Sequence, residues 1–273
     1  MGEVQVPENA LYGPQTQRAV DNFGLHERPM PGRIIRNLAR IKRAAAAANR
    51  ACGVLDDARA AAIEAAATAV ADGAHAEAFP LSVFQTGSGT STNMNMNEVL
   101  ARLASDALGE PVHANDHVNC SQSSNDVIPS CLQLSALEAL ETQLLPALGQ
   151  LVEHTRDRAE ELADEVKTGR THLMDAMPMT FGQELGAWAR QLQECEQRIH
   201  ELLPRIRQLP IGGSAIGTGV NVPAGFADTA CAHLAQYTGL APTPCDNPYS
   251  RMAGQDVALE CSACLRAIGT VLT

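Results

Sequence analysis

The sequence predicts an all-α protein in which an N-terminal helical domain is followed by the long helices of a central bundle. Apolar residues recur at helical spacing through most of the chain, and no long window shows the alternation of a strand. Two of the periodic segments extend for about thirty residues each. A helix of that length reaches roughly 45 Å, which is more than a small domain needs. The long helices should therefore pack side by side.

The earlier helices are short and rich in alanine. Residues 34–53 and 57–73 combine alanine runs with apolar residues at helical spacing, and both end in glycine, which favours a C-cap. We expect these elements to belong to a domain of residues 1–127. Residues 128–273 would then form an incomplete bundle domain.

The later helices are longer. A leucine stripe runs through residues 131–164, and Pro146 inside it predicts a kink. Similar periodicity predicts helices over residues 180–208, 224–238 and 252–273.

Composition excludes several classes of protein. The net charge of −11 is spread along the chain, which disfavours a nucleic-acid partner. No apolar run has the length of a membrane span, and the N-terminus does not resemble a signal peptide, so a cytoplasmic protein is expected. Eight scattered cysteines predict neither disulfides nor a metal site. Cys261 and Cys264 form a CxxC, but its helical context favours small apolar side chains.

Three polar stretches carry the unusual chemistry, and each is expected as a loop at the edge of a helix. They are "TGSGTSTNMNMNE" (86–98), "VHANDHVNCSQSSND" (112–126) and "KTGRTHLMDAMP" (167–178). Helix N-termini with nearby glycine, serine, threonine and asparagine offer many donors to a carboxylate-rich ligand. Ordinary helix capping explains "STNMNMNE" and "SSND" equally well. A lone histidine such as His172 is more often a structural histidine than a catalyst.

Five segments together resemble one family. "ALYGPQTQRAV", "TGSGTSTNMNMNEV", "VHANDHVNCSQSSNDVIPS", "KTGRTHLMDAMPMTFGQEL" and "GGSAIGTGVNVPAGF" are similar, in order and spacing, to the class II fumarase and aspartase superfamily. The resemblance implies a homotetramer around a central helical bundle, with each active site built from loops of three subunits.

Within the superfamily the chain looks most like a fumarase, which adds water to fumarate in the anti sense to give L-malate through a carbanion. The resemblance implies no metal and no other cofactor. It assigns His172 to general acid–base catalysis. It assigns binding of the dicarboxylate to Ser88, Thr90, Ser123, Ser124, Asn125 and Thr171. It assigns a second, peripheral dicarboxylate site to His113, Asn115 and Asp116.

Alternatives remain open at this stage. Aspartases of the superfamily typically have glutamine where this chain has His172, so the fumarase interpretation is favoured over aspartate ammonia-lyase. A non-catalytic helical scaffold is the alternative from another class. The peripheral segment could also serve only to cap and position "SSND".

The chain departs from the family pattern at several positions. Ala114, His117 and Cys120 replace the usual residues at the peripheral site, and Met174 follows the "GRTHL" segment. The family's "GSSxMPxKxNP" loop, which supplies the catalytic serine, is absent from the 273 residues. The resemblance therefore predicts a fragment without the C-terminal part, with no fumarase activity on its own.

Overall fold

The computed structural model describes residues 3–24 and 28–273. These residues form ten α-helices and two small two-stranded sheets, which confirms the predicted all-α class. The helices are α1 Pro14–Asn22, α2 Gly32–Ala51, α3 Asp57–Ala71, α4 Thr90–Leu108, α5 Ser124–Ala139, α6 Leu145–Glu161, α7 Phe181–Ile206, α8 Phe226–Thr238, α9 Pro248–Ala253 and α10 Asp256–Val271. The strands are β1 Val166–Thr171, β2 Met174–Thr180, β3 Gln208–Leu209 and β4 Thr243–Pro244.

The fold divides into two compact units. The first comprises the described residues of Met1–Ser135 together with Arg207–Gln255, and the second comprises Ala136–Ile206 with Asp256–Thr273. The first unit thus takes up a later segment of the chain as well as the N-terminal residues. The division into domains of residues 1–127 and 128–273 stays a prediction.

The first unit is centred on α2. This helix packs against α3 and α8, and its run of alanines, residues 44–48, is buried. Small side chains let neighbouring helices approach closely, while Leu38 and Ile41 of the same helix fill the core. Helix α3 begins after Asp56, whose carboxylate accepts a hydrogen bond from the Arg59 backbone N–H at 2.9 Å.

The second unit is a helical bundle. Helix α7 packs against both α6 and α10. Its buried residues recur every three or four positions, which is the pattern that a helix packed along one face requires. They are Ala189, Leu192, Cys195, Ile199, Leu202, Leu203 and Ile206. Arg205 Nε donates to Glu260 at 2.8 Å and ties α7 to α10.

The chain stays helical on both sides of Pro146, so the proline does not stop the helix, and the expected kink stays a prediction. Helix α5 ends at Ala139, a π-helical segment covers Leu140–Leu144, and α6 begins at Leu145. Pro146 closely follows the π-helical segment, at whose end the Leu145 backbone N–H donates to the Leu140 carbonyl oxygen.

The third polar stretch is a β-hairpin, so the expectation of a loop is wrong there. Strands β1 and β2 pair antiparallel, with an irregular register between Thr168 and Arg170. A Cβ on Gly169 would lie 2.8 Å from the Met177 carbonyl oxygen, so glycine permits this close pairing. Most side chains of the hairpin are exposed, so its sequence lacks the alternation of apolar and polar residues that marks a half-buried strand. It also contains glycine, proline and aspartate, which are depleted in strands.

The helices given above lie within residues 3–24 and 28–273. None of the helices there is both long enough and apolar enough to span a bilayer.

Candidate functional site

The N-terminus of α4 holds Ser88 and Thr90. Gly89 adopts φ +65° immediately before the helix, and the Ser88 and Thr90 hydroxyl oxygens lie 2.9 Å apart. A Cβ on Gly89 would come within 2.9 Å of Cγ2 of Ile128 in α5. Glycine therefore serves both the left-handed turn and the close approach of α4 to α5.

The N-terminus of α5 carries the "SSND" residues. Ser123 Oγ accepts from the Asn125 backbone N–H at 3.3 Å, and Asp126 Oδ1 accepts from the Ser123 N–H at 2.9 Å. This reciprocal arrangement is a capping box, so Ser123 and Asp126 do cap the helix. Asn125 is exposed, and its Nδ2 donates to the Ala215 carbonyl oxygen at 2.7 Å.

Asp126 also fixes the glycine-rich segment that follows β3. Its Oδ2 accepts from the backbone N–H groups of Gly212 at 3.0 Å and Ser214 at 2.9 Å. Burial raises the pKa of the Asp126 carboxyl to about 6, against the effect of these backbone hydrogen bonds. The capping pattern "SSND" includes this carboxylate, whereas its contacts with Gly212 and Ser214 depend on the tertiary fold.

Three asparagines of "STNMNMNE" lie inside α4, not before it as expected. The helix begins at Thr90, and Asn93, Asn95 and Asn97 are buried. Asn93 Nδ2 donates to Asn119 Oδ1 at 3.2 Å and to Ser124 Oγ at 3.0 Å. Asn97 Nδ2 also donates to Asn119 Oδ1, at 3.2 Å, whereas Asn95 Nδ2 donates to the Ala78 carbonyl oxygen at 2.9 Å. Asn93 and Asn97 form a polar layer with Asn119, and Asn95 lies outside it.

Lys42 of α2 reaches the same polar layer. The side chain is fully buried, and its Nζ donates to Asn119 Oδ1 at 2.9 Å and to Gln122 Oε1 at 3.0 Å. Burial lowers the pKa of Lys42 to about 7, while the negative charge of Asp126 acts in the opposite direction. Sequence reasoning missed this residue because a lysine in a helix is usually exposed.

These contacts bring five of the predicted site residues to one place in the first unit. Ser88 and Thr90 lie at the start of α4, and the "SSN" residues lie at the start of the adjoining α5. Two helix N-termini with hydroxyl and amide donors favour anionic groups. The arrangement can bind carboxylate oxygens without a cationic side chain at the surface.

Thr171 and His172 belong to the second unit, in the β1–β2 hairpin. Thr171 pairs with Met174, so His172 and Leu173 form the two-residue turn. Both residues have positive φ, +49° and +60°, a conformation that usually selects glycine or asparagine. The turn presents the His172 side chain to solvent.

The predicted peripheral residues lie on or next to a π-helical segment, Ala114–Val118. The side chains of His113, Asn115 and Asp116 are exposed. The His113 backbone N–H donates to Nδ1 of His117 at 3.0 Å, and burial lowers the pKa of His117. The assignment of a second dicarboxylate site stays a prediction.

Within the part of the chain that the structure describes, no three histidine, cysteine, aspartate or glutamate side chains are placed to hold a metal ion. The cysteines are unpaired thiols, and of the CxxC pair Cys261 is buried while Cys264 is half-buried.

Comparisons with known proteins show the family to which this helical chain belongs. The chain belongs to a lyase family, since the family model described as "Lyase" matches residues 2–273.

Its relatives include fumarases. The chain is 48% identical to "Fumarate hydratase class II" of Xylella fastidiosa (strain 9a5c), in a match that covers 100% of this chain and 58% of the relative. The protein of that name from Chromobacterium violaceum is 46% identical over 99% of this chain and 60% of its own length. A crystal structure of recombinant class II fumarase from Schistosoma mansoni superposes with a TM-score of 0.96 at 38% identity, covering 99% of this chain and 61% of that one. The chain therefore spans about 60% of the length of these relatives, and its predicted resemblance to the superfamily is confirmed.

Proposed function

We propose that this chain carries a fumarate-binding region of a class II fumarate hydratase. The observation that carries the proposal is the close approach of Gly89, at the N-terminus of α4, to Ile128 in α5. Ser88, Thr90, Ser123, Ser124 and Asn125 then supply hydroxyl and amide donors to the carboxylates of fumarate or malate. The names and similarity of the relatives support the same substrate.

The proposed reaction is the reversible anti addition of water to fumarate. In the direction of malate dehydration, loss of the C3 proton leaves a carbanion whose charge spreads onto the neighbouring carboxylate, and the C2 hydroxyl then leaves as water. Donors already directed at that carboxylate stabilise the charge as it develops. In this proposal His172 exchanges a proton with the water or hydroxyl, and Thr171 assists in binding the dicarboxylate.

The assembly and setting form part of the proposal. We infer a homotetrameric cytoplasmic enzyme that needs no metal, with no nucleic-acid or membrane partner. The net charge of −11 supports the lack of a nucleic-acid partner. His113, Asn115 and Asp116 are proposed as a peripheral dicarboxylate site, supported by their exposure on a common segment.

The substitution His172→Asn tests the catalytic assignment. It is made in an enzyme of the same length as the relatives, which includes this chain. We expect the rate of fumarate hydration to fall by roughly two to four orders of magnitude, the usual contribution of a general acid–base group. His200→Asn is the matched control, since His200 is an exposed histidine of α7. Unchanged turnover of the His172 variant would remove this residue from the mechanism.

A further inference from the structure

Lys42 is one of only two lysines in the chain. Of the 20 basic residues 18 are arginine, and the other lysine is Lys167. Lys42 is fully buried, and both of its acceptors lie in the segment that leads into α5. A compact ammonium can meet two separate oxygens at a point where the planar fork of an arginine would need more space.

A continuous path of hydrogen bonds joins Lys42 to the proposed fumarate site. Lys42 Nζ donates to Asn119 Oδ1 at 2.9 Å, and the same oxygen accepts from Asn93 Nδ2 at 3.2 Å. Asn93 Nδ2 then donates to Ser124 Oγ at 3.0 Å. The path therefore starts in α2, crosses α4 and ends on a hydroxyl at the first residue of α5.

The chemistry of the lysine sets the direction of this path. Both partners of Nζ are carbonyl oxygens, so Nζ is the donor whether or not it carries a charge. Asn119 Oδ1 is thereby turned toward Lys42, and Asn119 Nδ2 donates to the Gln122 carbonyl oxygen at 3.2 Å. Asn93 must in turn present its amide nitrogen to Asn119 and to Ser124. Ser124 Oγ accepts a hydrogen bond from protein, which leaves its own proton for another acceptor.

We propose that Lys42 is a positioning residue of the fumarate site, which orients Asn119 and Asn93 so that the Ser124 hydroxyl donates its proton to a ligand carboxylate. The inference rests on the proposed function for the identity of that ligand. A carboxylate only accepts hydrogen bonds, so a hydroxyl that faced it with its lone pairs would repel it. Replacing the lysine by an apolar residue would leave Asn119 Oδ1 held only by the amides of Asn93 and Asn97 and would weaken this orientation.

The first experiment needs no ligand. The chain is labelled with ¹⁵N-asparagine, and the side-chain amide signals of Asn93, Asn119 and Asn95 are compared in wild type and Lys42→Met. We expect the Asn119 and Asn93 signals to move, while Asn95 stays because it bonds to Ala78. Lys167→Met is the matched control and should move none of the three. Unmoved Asn93 and Asn119 signals in a folded Lys42→Met chain would overturn the inference whether or not fumarate binds.

The second experiment measures binding of fumarate. Fumarate is titrated at millimolar concentrations into the chain, and the backbone amide shift of Ser124 is followed. Lys42→Met should weaken binding about three- to tenfold, the contribution of one hydrogen bond. In a Ser124→Ala background the same substitution should have no further effect, whereas a purely structural role would give additive losses.

A second variant keeps the test decisive if Lys42→Met does not fold. Asn93→Ala leaves the bond from Lys42 to Asn119 in place and removes the donor to Ser124. It should reproduce the weaker fumarate binding, again without effect in the Ser124→Ala background, and full affinity would refute the path. A wild-type chain whose signals do not respond to fumarate would count against the proposed function alone, because the asparagine signals decide the inference separately.

Discussion

Buried polar residues, more than surface ones, organise the candidate site at the scale of single residues. Asp126 holds Gly212 and Ser214 through backbone N–H groups, and Lys42 holds Asn119 and Gln122. Such groups are stabilising only where their partners are complete, since an unpaired buried polar group is costly. Both residues therefore restrict the loops that carry the serines and Asn125.

The burial of Lys42 makes folding depend on pH. Its pKa is about 7 in the folded chain and about 10.5 when unfolded, so the unfolded state binds more protons between these values. Raising the pH from about 7 to about 10 should increase the free energy of unfolding of the wild type relative to Lys42→Met. The slope is at most about 1.4 kcal/mol per pH unit. Urea denaturation of both chains at several pH values measures it, and a flat or falling difference would contradict the assignment.

Sequence reasoning could propose the donor residues but not the buried residues that contact them. The family resemblance and the local composition both indicate the same candidate donors, which are Ser88, Thr90 and the "SSN" residues. Asn93, Asn97 and Lys42 could not be predicted, since their roles depend on burial between helices that are distant in sequence. Local patterns carry little information about such tertiary contacts.

At the scale of secondary structure, the positions at which α4 and α5 begin determine where the candidate donors lie. Helices α4 and α5 begin at Thr90 and Ser124, and the candidate donors sit in or just before their first turns. The approach of these two ends depends on Gly89, which has φ +65° and faces Ile128. The position of the donors is thus a property of two helices together.

Gly89→Ala tests that approach. The new Cβ would meet Ile128 at 2.9 Å and would also impose the strain of a positive φ. We expect a loss of about 1–3 kcal/mol in stability and weaker binding of fumarate. Gly109→Ala is the matched control, because Gly109 ends the same helix with φ +74° and has no atom within 4 Å of the added Cβ. Equal effects of the two variants on fumarate binding would contradict the proposed contact.

The helices predicted over 34–53, 57–73, 180–208 and 224–238 agree with the structure to within a few residues, whereas the one predicted from 131 begins at Ser124 and the hairpin was missed. Apolar periodicity determines α3, α7 and α8, whereas the alanine run of α2 is buried on all sides. The turn at His172 and Leu173 has no such signal: its strands are exposed, and its positive φ angles occur at residues that rarely adopt them.

At the scale of the whole molecule, the chain and its relatives differ in extent. The match covers 58% of the Xylella fastidiosa relative, and the family's catalytic serine loop has no counterpart in the 273 residues. We expect the 273-residue chain alone to show no detectable interconversion of malate and fumarate, because the proton at C3 of malate has no base. Activity near that of an intact fumarase would mean that a base already lies within this sequence.

Assaying the full-length enzyme on fumarate, with and without ammonium, tests the central claim most directly. Formation of malate and of aspartate is measured in parallel on the same preparation. If the residues at the α4 and α5 N-termini and His172 serve a fumarate hydratase, malate should form readily and aspartate should stay negligible at moderate ammonium. Aspartate as the main product, or fumarate left unchanged, would contradict the account.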